Sequence, residues 1–220
     1  MGKKINVPKI AIQTDILIDT YQLRKMFGSS SLENWLSAKG ELTDIQGQLL
    51  DSIYKKSIDR MGGWNEEELK MKLISILFFI ADFEEDGKIT TFYERTINEV
   101  VENYTIHVVC DCLIASPLGL TTPKNPYFFL QERNAARFKK QKGDSNDPEG
   151  QMLAAMIAAQ HLNNDQKPIF GSWLTGSIWI FTILDGKNYY FSNAFDATNK
   201  QDLLQIVFIL RKLKELILNR

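Results

Sequence analysis

Hydrophobic positions change period several times along the chain, and each change marks an element. Asn65 can cap a helix whose first turn holds Glu66, Glu67 and Glu68, where carboxylates complement the helix dipole. Leu69, Leu73, Leu77 and Ile80 then recur at helical spacing. After the turn signal Asp86-Gly87 the pattern becomes that of strands, first Ile89 to Thr96, then Tyr104 to Ala115 with its many β-branched residues. Pro117 to Asn125 reads as a loop. Tyr127 to Glu132 reads as a short, almost wholly apolar strand, as expected at the centre of a sheet. A polar loop, Arg133 to Asp147, leads to Asp147-Pro148-Glu149, which combines an N-cap, a proline at the first helical position and an acid. That helix is expected to reach about Asn163. Ile169 to Thr175 and Ile178 to Asp185 are strands split by Gly176, and Asp185-Gly186 turns into Tyr189-Tyr190-Phe191 as a hairpin. Thr198-Asn199 opens a terminal helix with the stripe Leu203, Ile206, Val207, Leu210, Leu213 and Ile217.

The N-terminal third is patterned differently. Ser29-Ser30-Ser31 leads into a helical piece containing Trp35 and Leu36 that ends at Gly40. Thr43 caps a second piece carrying Ile45, Leu49, Leu50 and Ile53, and Met61-Gly62-Gly63 is a break. The chain therefore divides into a helical N-terminal extension over 1–62 and an α/β domain over 63–220. No internal repeat or low-complexity segment interrupts this division.

Composition adds limits. Of 220 residues, 44% are hydrophobic and 24% charged, an ordinary globular balance. The net charge of -1 means that any nucleic-acid contact must come from a local patch. The longest apolar run, Leu73 to Ala81 broken only by Ser75, falls well short of the roughly 20 residues of a membrane helix. The basic start Met1-Gly2-Lys3-Lys4 lacks an apolar core, so no signal peptide is expected. Cys110 and Cys112 share a face by period two and are poorly placed for a disulfide. With His107 and His161 the only histidines, a structural zinc site is not expected. The cysteines read as small buried hydrophobes in a reducing cytoplasm.

Two acids stand where a purely structural sheet would not place them. Asp111 lies inside the apolar run Ile106 to Ile114 and, by period two, shares a face with Val109 and Leu113. Glu132 ends the apolar strand and shares a face with Phe128 and Leu130. An ionised carboxylate near buried strands needs a partner, and a hard divalent cation is one such partner. The plainer readings are an arginine partner for Asp111, a strand-end position in water for Glu132 and a satisfied sheet position for His107.

A strand with Asp, about twenty residues, an apolar strand ending in Glu, and then a helix resembles the PD-(D/E)XK phosphodiesterase superfamily, the restriction-endonuclease-like fold. The resemblance covers roughly residues 64–192. It implies a central mixed sheet flanked by helices, with Asp111 and Glu132 holding magnesium or manganese. Glu66 matches an acid that some members place before the sheet, and Gln151 in Glu149-Gly150-Gln151 matches a glutamine carried by others. Where the family has lysine, this sequence has Asn134, so either the cation comes from elsewhere or the site is weakened. Arg133, Arg137, Lys139, Lys140 and Lys142 crowd the following positions as a candidate source of that cation and a candidate DNA-binding patch, although such a cluster is also an ordinary solvated loop. The expectation is a magnesium-dependent nuclease acting on DNA. Its rival is a non-catalytic module of the same fold that binds nucleic acid or a protein. The terminal helix has enough apolar surface for either a homodimer interface or a core position.

Overall fold

A computed structural model describes residues 7–119, 121–133 and 147–220, and for Glu132 and Arg133 it describes the backbone. Among these residues one mixed sheet contains eight strands: β1 (Arg24–Phe27), β2 (Thr90–Val101), β3 (Tyr104–Leu118), β4 (Thr122–Arg133), β5 (Ile169–Thr175), β6 (Ile178–Asp185), β7 (Asn188–Phe191) and β8 (Phe195–Asp196). Their order across the sheet is β1-β7-β6-β5-β4-β3-β2, with β8 pairing β6. β4 and β5 run parallel, as do β1 and β7, and the remaining pairs are antiparallel.

Helices cover both faces. One face carries α2 (Ser30–Leu36), α3 (Asp44–Ser57), a continuous helix made of α4 (Glu66–Leu69), a π-helical turn (Lys70–Ile74) and α5 (Ser75–Ala81), and the terminal α7 (Lys200–Leu218). The other carries α1 (Thr14–Thr20) and α6 (Pro148–Asn163). The whole predicted stripe of α7 is buried, so of the two roles open to that helix the structure shows the core one. α6 buries nearly its full circumference between Met152 and Ala159, because four alanines lie where larger side chains would hold it off the sheet.

The 1–62 segment is woven into the domain. Trp35 is fully buried against Phe170 and Phe181, and its indole N–H donates to the Ile209 carbonyl at 2.8 Å. Four of its residues form β1, parallel to β7. Periodicity gave no sign of this strand, because all four residues are exposed and carry no alternation. β2, β3 and β4 are also longer than expected. Pro117 pairs with Pro123 beyond two register shifts, and such bulges let prolines sit in strands at a sheet margin.

Period two fails in the middle of β2 and β3. Ile106, Val108 and Cys110 face α6, and so do Leu113 and Ala115, whereas Cys112 and Ile114 face the opposite core. On β2, Phe92, Ile97 and Val101 face α6, a phase change at the same level. Glu94 lies there with φ 48°, a left-handed conformation that is costly for a residue with a Cβ. Two sequence expectations are corrected by this break. Cys110 and Cys112 lie in opposite cores, and Asp111 does not share a face with both Val109 and Leu113, since Val109 is 45% exposed and Leu113 is 1% exposed.

Candidate active site

Asp111 sits at this break. Cys112 pairs with Leu130, and one further step of the register sets Asp111 opposite Gln131. The Gln131 amide Nε2 donates to Asp111 Oδ2 at 2.5 Å, from a side chain that is itself buried. Asp111 Oδ1 lies 3.5 Å from the ammonium of Lys70, the first residue of the π-helical turn. That ammonium is also 2.5 Å from Glu94 Oε1 and 3.8 Å from Glu67 Oε1. Among the described residues three carboxylates, from β2, β3 and α4, thus converge on one cation.

Local structure explains the convergence. The π-helical turn is wider than an α-turn, which lets adjacent Leu73 and Ile74 both enter the core while Lys70 lies over β2 and β3. The left-handed backbone at Glu94 accompanies the phase change that brings its carboxylate to Lys70. Lys70 and Asp111 side chains keep 19% and 17% of their exposure, so the pair is partly desolvated and still open to water. The Cys110 thiol is pushed well above its ordinary range, chiefly by burial, with the charges of Asp111 and Glu94 adding to it. Arg95, paired across the strands with Cys110, packs its guanidinium over the Phe92 ring, and its buried Nε–H has no hydrogen-bond acceptor among the described residues.

The other sequence candidates separate. Glu66 is exposed at the start of α4, and the acid of that turn that approaches Lys70 is Glu67. Gln151 is half-buried in the first turn of α6, and no hydrogen bond joins it to Asp111 among the described residues. That turn is firmly held. Asp147 Oδ1 accepts from the Gly150 amide at 2.8 Å, and its Oδ2 accepts from the Thr14 amide and hydroxyl at 2.7 and 2.9 Å. A Cβ at Gly150 would meet Asp147 at 2.6 Å and the Thr14 backbone at 2.9 Å, so only glycine fits there. Glu149 accepts from Lys25 and from the buried Tyr189 hydroxyl. Glu132 pairs with Leu174 and Arg133 with Thr175 through their backbones at the end of β4, and both side chains lie outside the described residues. Asn134, Arg137, Lys139, Lys140 and Lys142 also lie outside them. His107 is exposed, with Nδ1 3.3 Å from the Asn98 amide oxygen.

Sequence reasoning missed Gln131, Lys70, Glu67 and Glu94. Gln131 had a legible signal as an amide ending an apolar strand. Lys70 had none, because an ordinary α-turn is what its neighbours predict.

No protein-family model matches the chain, and no curated protein matches it. Among the described residues no group of three or more His, Cys, Asp or Glu side chains is arranged to hold a metal. The donor chemistry present is nevertheless of the hard-oxygen type, with Asp111 and Glu94 carboxylates turned toward one cation. No described helix is long and apolar enough to cross a membrane.

Proposed function

We propose that this protein is a magnesium-dependent phosphodiesterase acting on DNA, with a restriction-endonuclease-like fold. The observation that carries the reading is Asp111, a half-buried acid on β3 braced by Gln131 and Lys70, one strand away from the β4 end that bears Glu132. Supporting it is the order of a helix, the antiparallel strands β2, β3 and β4, the helix α6, and then β5 parallel to β4. Asp111 and Glu132 are the residues that would hold the metal. A bound magnesium supplies an activated water and neutralises charge on the phosphate. The chain's own part is to fix the carboxylates on rigid strands and to present positive charge beside them.

A second reading, a non-catalytic module that keeps the fold and binds nucleic acid or a protein, is favoured by two facts. Asn134 carries no charge, and Asp111 already has an ionic partner in Lys70.

Cleavage of supercoiled plasmid with magnesium or manganese separates the two. The nuclease reading predicts metal-dependent nicking by the wild type and a loss of about 100-fold or more in Asp111→Ala. Absence of cutting by the wild type, together with retained DNA binding, would favour the module. Equal cutting by both proteins would remove Asp111 from the site.

A further inference from the structure

We propose that Lys70 is the cation that faces the scissile phosphate, held on Asp111 until a divalent cation takes that carboxylate. This inference rests on the phosphodiesterase reading and adds a residue to it. Lys70 reaches Asp111 from a separate element, the helix packed on the opposite side from α6, and it does so through the π-helical turn. Turns of this kind inside α-helices are frequent at functional sites.

The electrostatics support an exchange rather than a fixed pair. Among the described residues three carboxylates surround the Lys70 ammonium, so it is shared rather than committed to Asp111. A divalent cation satisfies two carboxylates more fully than an ammonium does, and it repels the ammonium from the same oxygen. The 3.5 Å separation from Asp111 is looser than the 2.5 Å contact to Glu94, which anchors the lysine close by. The flexible four-carbon stem then allows the ammonium to turn toward an anion bound beside Asp111. Phosphodiester hydrolysis builds negative charge on the phosphoryl oxygens, and a pre-placed cation there acts on the transition state.

The test compares wild type, Lys70→Met, Lys70→Arg and Asp111→Asn for manganese affinity and for single-turnover cutting of a DNA duplex at saturating manganese. Circular dichroism checks that each variant is folded. The expected result for Lys70→Met is a fall in cutting of about 100-fold with tighter manganese binding. Lys70→Arg is expected to keep most of the rate, and Asp111→Asn to lose manganese binding. A lysine that only balances charge in the metal-free fold would lower the melting temperature of Lys70→Met and leave the manganese-saturated rate unchanged, and that result would overturn the proposal. Weaker manganese binding in Lys70→Met would also overturn it, since displacement requires the opposite. A wild type that neither binds manganese nor cuts removes the phosphodiesterase reading and this inference together. A wild type that does both, beside an equally fast Lys70→Met, removes this inference alone.

Discussion

The two halves of the sheet handle buried polarity in opposite ways. In β5 and β6 the buried polar side chains are neutral; the hydroxyls find local partners, while the indole N–H groups of Trp173 and Trp179 are buried without an acceptor among the described residues. The Ser172 hydroxyl donates to the Ile180 carbonyl at 2.9 Å, and the Thr182 hydroxyl lies against the sulfurs of Met152 and Met156. In β2, β3 and β4 ionisable groups are shared, with the neutral amide of Gln131 bracing one of them. Asp111, Glu94 and Glu67 meet one lysine, Glu94 holds a left-handed backbone, and the helix above contains a π-helical turn. Neutral groups let strands pack to a dense core and carry no net charge to attract ions. Charged, partly desolvated groups in irregular backbone are costly to keep and are the usual mark of a working site. On the proposed function the first half is scaffold and the second is site.

Substitutions can break this contrast. The largest effect is expected at Gly171, where an added Cβ would lie 2.7 Å from both methionine sulfurs and 2.9 Å from the Thr182 hydroxyl. Gly171→Ala should cost about 2 kcal/mol in urea unfolding through overpacking, without altering metal response. A cost near zero would show that the scaffold half is looser than its burial implies.

A smaller effect is expected at the entry to β5. Arg220 holds the Asp165 carboxyl below its ordinary range, mainly by hydrogen bonding, and also donates to the Pro168 and Lys167 carbonyls. A lowered carboxyl contributes stability that is present above its unfolded value of about 3.9 and is lost as pH falls through its folded value. Because Asp165 is largely in water, solvent screening limits the contribution to below about 1 kcal/mol. Asp165→Asn should therefore be slightly less stable than wild type at pH 7. The two should converge below pH 3, as read by urea melts at both pH values.

Legibility in the sequence followed the same division. The scaffold was readable where periodicity and capping agree. Pro148–Asn163 begins on Asp147 and ends where expected, Asn199 caps α7, and the Asp185-Gly186 turn closes the β6–β7 hairpin. The place of β1 in the sheet was less legible, because its four residues are exposed and leave no hydrophobic alternation. At the site, Asp111 was visible as an acid in an apolar strand. Its neighbours were not, because their meeting depends on departures from regular geometry. The phase change beside Glu94 overrides period two, and the π-helical turn overrides the 3.6-residue period that hides Lys70.

The most direct test of the contrast is thermal melting of wild type and Asp111→Asn with and without manganese. Ligand that binds the native state raises stability by RT ln(1 + [L]/Kd), about 2.7 kcal/mol at a hundredfold excess over Kd. The account predicts a rise of several degrees in the wild type that is absent in Asp111→Asn, with the mutant no less stable than wild type when manganese is withheld. An equal rise in both proteins, or none in the wild type, would contradict it.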